Sequence, residues 1–338
     1  MRRPRHPDEQ GHVENEGVRI FYELYEHEPP TMLLMPPVAF AHSRLWKGQI
    51  PYLSRHFRVL TFDGRGNGKS DRPSDPAEYG PEQFAADALA VMDQTMTDRA
   101  IVAVLGPRSI SALRVAVDHP DRVAGLALLA PDLFAEREFA DAWRAAPDDP
   151  HSGFGAFNPH LMRSDWPSFL DQWSRVMFPH PHSSRQIEDT IAYGIETDGE
   201  RFIASTIGNR YPRRAEVLDL ARRLPCPCVV TQWGAPMWPA RTSEVFAQAA
   251  GSSLVVFEGL GPQVGARWPV ALNLFLREFA ESKLPALERR FRRPLFGLAI
   301  VPASPVRSAL LNETERVLAA APAECRVHLR AVLGSGSS

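Results

Sequence analysis

The chain has 338 residues, 44% of them hydrophobic, and 38 Lys and Arg against 40 Asp and Glu give a formal net charge of −2. That is enough to bury one large core with an inserted subdomain, while the near-balanced charge gives no electrostatic reason to expect nucleic acid or an anionic membrane as partner. No apolar run approaches the ~20 residues of a membrane span, and Met1–Gln10 lacks the apolar stretch of a signal peptide.

In chain order, residues 1–12 are expected to be a disordered N-terminus, and the run Gly17–Tyr22 begins the opening antiparallel strands. Thr31–Met35 and Phe57–Phe62 are the next strand-like runs. The latter leads into Asp63-Gly-Arg-Gly-Asn-Gly-Lys-Ser70, where glycines permit positive φ and Asp63 can accept from loop N–H groups. Thr97–Val123 reads as buried strand, sharp turn, then helix, with Ser109 and Ser111 inside the helix. Ala124–Ala130, Cys226–Thr231 and Ser253–Phe257 are apolar runs bounded by turn residues, and read as the last three parallel strands. Between the first two of these, residues 134–214 carry helical periodicity in Phe134–Trp143, Trp166–Phe178 and Ser183–Tyr193, with Asp165 and Ser183 as expected N-caps. Val270–Phe279 is an amphipathic closing helix that places Leu272, Phe275, Leu276 and Phe279 on one face. Residues 284–338 form a C-terminal extension: a basic hinge at Arg289–Arg293, then strand Leu295–Val301, helix Pro305–Ala321, strand Arg326–Leu333 and a flexible Gly-Ser tail. This βαβ-like piece offers a surface for a homo-oligomer. Cys226 and Cys228 share one expected strand and Cys325 is distant, a set too small for a disulfide framework or a zinc site, so a reducing cytoplasm is expected.

These segments resemble the α/β-hydrolase fold superfamily. The Asp63–Ser70 loop is similar to its Asp-x-Arg-Gly-x-Gly-x-Ser motif, and the turn at Gly106 resembles its nucleophile elbow, Gly-x-Ser-x-Gly. Phe178–Asp189 resembles cap segments of actinobacterial hydrolase-like proteins. The resemblance implies a doubly wound, mostly parallel sheet, with residues 13–133 plus 215–283 as core and 134–214 as helical cap. It also implies a degenerate triad. An ungapped match from Arg99-Ala100 to His119–Val123 puts the serine position on Gly106. The base position, in Gly259-Leu-Gly-Pro262, falls on Pro262, and Met237 lies nearest the acid position. One oxyanion donor would be the N–H of Pro107, which has none; Val38 retains the other.

A capped pocket near Val38, Gly106, Pro107, Asp132, Trp233, Met237, Pro262 and Gln263 is therefore expected, without metal or cofactor. His42 and Arg108 are the candidate catalytic groups, as base near neutral pH and as holder of an anionic or enolic oxygen. Their alternatives are a hydrogen-bonded loop His and an Arg lying over the helix surface; Asp132 could instead cap the first cap helix. His180 and His182, one residue apart in a Pro-rich loop, lack a third metal ligand in the sequence around them. The expected function is a non-hydrolytic tailoring enzyme of natural-product biosynthesis, performing elimination, cyclisation or rearrangement on a small organic substrate, because the resemblance includes lyases and cyclases. The alternatives are an inactive ligand-binding or partner-regulating pseudoenzyme, and a hydrolase with a relocated triad.

Overall fold

Nine strands of the described residues make one sheet: β1 (Glu9–Asn15), β2 (Val18–Tyr25), β3 (Thr31–Leu34), β4 (Arg58–Phe62), β5 (Ala100–Leu105), β6 (Val123–Leu129), β7 (Cys228–Trp233), β8 (Ser253–Phe257) and β9 (Leu298–Val301). The structure is a computed structural model that describes residues 5–37, 40–133, 157–209, 212–233, 240–257, 263–282 and 298–301. The strand order is β1-β2-β4-β3-β5-β6-β7-β8-β9. From β4 to β8 every neighbouring pair is parallel. The edges are antiparallel, with β1 on β2, β2 on β4, and β9 on β8.

The apolar runs form central strands because both faces are covered. Along β5, Ala100, Val102 and Val104 enter one core, while Ile101, Ala103 and Leu105 enter the other. A two-residue period thus survives inside a continuous hydrophobic run. Helices α2 (Pro81–Gln94) and α3 (Ser109–Asp118) supply the first core with Val91, Met92, Ile110 and Leu113. Two further helices, α1 (Ile50–Leu53) and α11 (Pro269–Ser282), supply the second. The expected face of α11 is fully committed, with Leu272, Phe275, Leu276 and Phe279 buried.

Between β6 and β7 the described residues form α4 (Pro159–Ser164), α5 (Trp166–Met177), α6 (Ser184–Gly194), α7 (Gly199–Gly208) and α8 (Arg214–Arg222). After β7 come α9 (Ala240–Ala250) and, after β8, α10 (Val264–Arg267). Asp165 caps α5 by accepting from Ser168 N at 3.0 Å. Ser183 occupies the N-cap position of α6, yet its side chain makes no capping bond. Phe157, Trp166, Phe169, Trp173 and Phe202 pack into an aromatic cluster, and Phe40 from the loop after β3 docks on it.

Two expectations are corrected. The first strand starts at Glu9, inside the stretch expected to be disordered, because Glu9–Asn15 pairs with Val18–Leu24 as a polar edge strand. Cys226 lies before β7, which starts at Cys228, so the two do not share a strand. Of the extension, Leu298–Val301 continues the sheet antiparallel to β8; the expected helix 305–321 and strand 326–333 lie outside the described residues, as does helix 134–143.

Candidate functional site

The turn from β5 into α3 is built around Gly106. Its φ is +67°, and a Cβ placed there would meet nothing within 4 Å among the described residues. A side chain at this position would be held in a strained backbone conformation, with no contact among the described residues. Gly106 O accepts from Ser109 Oγ at 2.7 Å and from Asp132 N at 3.3 Å, which joins the elbow to the end of β6. Ala130, at that strand end, also has a positive φ of 41°. Pro107 occupies the middle of a short 3-10 turn, Gly106–Arg108. Ser109 and Ser111 are buried in α3 as expected.

The Asp63 loop is tied as its residue types dictate. Asp63 Oδ1 accepts from Ser43 N at 3.0 Å, and Oδ2 accepts from Lys69 N at 2.9 Å. Ser70 Oγ donates to Asp63 O at 2.7 Å and accepts from Phe21 N at 2.9 Å. Arg65, wholly buried, forms a bidentate pair with Asp87 at 2.8 and 2.7 Å, which fastens the loop to α2. The motif holds β2, β4 and α2 in place around the site.

His42 is buried at the start of a 3-10 turn, Ser43–Gly48, and its Nδ1 accepts from Arg44 N at 3.3 Å. That bond places the proton of the neutral ring on Nε2, which lies 3.4 Å from Glu196 Oε2 but outside hydrogen-bond geometry. Asp63 Oδ1 stands 3.8 Å from Nδ1, and the Tyr193 ring packs edge-on at 4.9 Å. Burial pushes the Tyr193 phenol up to about 12, so it remains a donor at neutral pH, and its hydroxyl donates to Arg44 O at 3.3 Å.

Arg108 does not lie over the helix surface: it is 3% exposed. Its guanidinium donates to Ser205 Oγ at 2.7 Å and Asn209 Oδ1 at 3.2 Å, and sits 3.5 Å from the centroid of the Phe84 ring. Trp233 is buried in the cluster that contains Leu105 and Ala130, and its indole N–H has no hydrogen-bond partner among the described residues. Asp132 is partly exposed, and Gln263 accepts at its backbone oxygen from Arg267 N at 2.9 Å. Val38, Met237 and Pro262 lie outside the described residues. The geometry thus brings Gly106, Pro107, Asp132 and the Leu105–Trp233 cluster together. His42 and Arg108 have separate sets of neighbours. Sequence reasoning missed Phe84, Tyr193, Glu196, Ser205 and Asn209, the groups that engage those two side chains. The available hint was a cation at the N-cap of a helix whose first turns are buried, which must find buried partners. Among the described residues no group of three or more His, Cys, Asp or Glu is placed to hold a metal ion.

Strand order, elbow and Asp63 loop define the class: the chain has the α/β-hydrolase fold. The profile of that fold family, described as "alpha/beta hydrolase fold", matches residues 32–175. A putative carbamate hydrolase, RutD, from Caulobacter segnis is 32% identical over 84 residues, 25% of this chain and 32% of that protein. The match therefore spans about a third of the length of that curated relative. Among solved structures, the esterase EaEST of Exiguobacterium antarcticum aligns with a TM-score of 0.69 at 19% identity, covering 80% of this chain and 99% of that one. The enol-lactonase of Burkholderia xenovorans aligns with a TM-score of 0.63 at 20% identity, again covering 80% and 99%. Among the described residues, no helix is long and apolar enough to cross a membrane.

Proposed function

We propose that this protein is a pseudo-hydrolase that binds a small organic ligand at the elbow without forming a seryl intermediate. The observation that carries the reading is Gly106 itself: the elbow conformation is kept, the space in front of it is open among the described residues, and no hydroxyl is offered there. The match that puts Pro262 at the base position supports it from the sequence side, because a triad acts as a unit and loses nearly all its effect when one member goes. A binding role fits the remaining groups better than elimination, cyclisation or rearrangement. Those reactions need a group at the rim to move a proton or stabilise charge. His42 spends its Nδ1 lone pair on Arg44 N, and Arg108 directs two donors at Ser205 and Asn209.

The relatives favour a second reading. The similar proteins are named for the hydrolysis of carbamates, esters and enol-lactones, so a hydrolase whose nucleophile stands elsewhere is the competing account. Titration calorimetry with a panel of short esters and lactones, run beside product analysis of the same mixtures, separates the readings. The pseudo-hydrolase account expects saturable binding and intact ligand. Ester or lactone cleavage above the buffer rate would establish the hydrolase, and a rearranged or dehydrated product would restore the tailoring enzyme.

A further inference from the structure

We propose that His42 is a pH-sensitive latch between core and insertion: neutral, it caps its own turn, and protonated, it draws the Glu196 carboxylate onto the core. Nδ1 accepts from Arg44 N at 3.3 Å, which caps the 3-10 turn Ser43–Gly48. Nε2 is buried without a hydrogen-bond partner and stands 3.4 Å from Glu196 Oε2. Asp63 Oδ1 lies 3.8 Å from Nδ1. Two carboxylates therefore flank one buried ring, one in the core loop after β4 and one in the connection between α6 and α7.

The two protonation states favour different neighbours. A neutral imidazole has one ring lone pair, and here it serves as the cap acceptor. A protonated ring has two N–H donors and no acceptor. It must release Arg44 N, and both donors then have a carboxylate within reach. Burial opposes the cation, but Asp63 is itself buried, and among the described residues His42 is the only basic side chain within 4 Å of its carboxylate. A buried charge lacking a counter-ion is costly, and the protonated ring supplies one. Glu196 needs only to turn its side chain, because the backbone around it is already tied to the core. Its carbonyl accepts from Arg72 at 2.9 Å, and Thr197 Oγ1 donates to Gly66 O at 2.9 Å.

The other ionisable groups at this contact hold their charge. Tyr193 packs edge-on against the ring, and burial, which pushes its phenol up to about 12, keeps it neutral. Asp189 is paired with Lys47 and Arg185, while Arg44 and Arg72 are exposed guanidinium groups that stay protonated. Histidine is the side chain that ordinarily changes charge between about pH 5 and 8. Protons bind better with the seam closed, so the seam is held harder as pH falls and released as pH rises through the titration of the ring.

The test is amide hydrogen exchange of wild type, His42→Asn and Glu196→Gln, with no ligand present. Protection over residues 193–198 is corrected for the intrinsic pH dependence of exchange and normalised to β5 and β6. In wild type it should be about two- to fivefold higher at about pH 5.5 than at about pH 7.5, as for a partly exposed ion pair. His42→Asn keeps a capping acceptor but cannot be protonated, and Glu196→Gln keeps the shape without the charge. Each should abolish the difference. A wild-type ratio that is flat or reversed would overturn the proposal, as would a difference that survives in either variant. Should His42→Asn fail to fold, Glu196→Gln decides, since that side chain is half exposed. Nitrogen-15 spectra of the ring give a second check. The neutral form should carry its proton on Nε2, and a proton on Nδ1 would rule out the latch, because that atom could not then cap Arg44 N.

Discussion

The sheet interior is held by apolar side-chain contacts, whereas the seam between insertion and core adds directional polar bonds to them. The central strands bury aliphatic side chains on both faces, so their stability is non-directional and spread over dozens of contacts. The seam combines apolar docking, Phe40 on Trp166 and Phe202 and Ala204 on Tyr79 and Phe84, with discrete polar bonds: Thr197 Oγ1 donates to Gly66 O at 2.9 Å, Arg72 to Glu196 O at 2.9 Å, and Tyr193 to Arg44 O at 3.3 Å. Lys47 and Asp189 form an ion pair beside them. The lesson is that the core specifies the fold, whereas a few named bonds specify where the insertion rests on it.

That contrast can be broken by substitution. The largest effect is expected where the two chemistries meet: Asp87→Ala leaves Arg65 buried without its bidentate partner, and should lower unfolding free energy in urea by about 3–5 kcal/mol. Phe275→Ala should cost about 3–5 kcal/mol by cavity formation. Losses below about 1 kcal/mol for either would show that the region relaxes. In the insertion, Asp165→Ala removes the α5 cap and should cost about 1 kcal/mol, read as faster amide exchange over residues 166–177. Thr197→Val should likewise speed exchange across 184–209, while the β5 and β6 amides keep their protection. If β5 and β6 loosened equally, the seam and core would be one cooperative unit.

The smallest effect concerns the surface pair Arg19–Asp71. Hydrogen bonds from the Arg19 side chain and backbone N–H hold the Asp71 carboxyl below its usual range. A carboxyl depressed in the folded state adds stability above its unfolded value and loses it as pH falls through the folded value. Asp71→Asn should therefore cost under about 1 kcal/mol at neutral pH, given its exposure, and nothing in strong acid. A cost that grew on acidification would reverse the sign.

Local chemistry made much of this legible in the sequence. Runs such as Ala100–Leu105 and Ser253–Phe257 announce strands, because strands covered on both faces need uninterrupted apolar residues. The Asp63 loop and the elbow are equally readable, since their turns are set by local residue types, even though Ser43 N, Asp87 and Asp132 N then tie them to distant segments. The edge strand β1 was hidden because Glu-Gln-Gly-His-Val-Glu-Asn buries almost nothing and is defined by its partner β2. The surroundings of His42 and Arg108 were hidden for a different reason. Glu196 lies far along the chain from His42, and Ser205 lies 97 positions from Arg108. Pairings at such separation leave no local pattern, so the residue types suggested reactive groups where the fold had given them neighbours.

The central claim, that the protein forms no seryl intermediate, is tested most directly by treating the native protein with a fluorophosphonate and following intact mass. The account predicts no stoichiometric adduct, with heat-denatured protein giving the same background. A single adduct on the native protein, mapped to Ser109, Ser111 or any other serine, would contradict it and identify a working hydrolase.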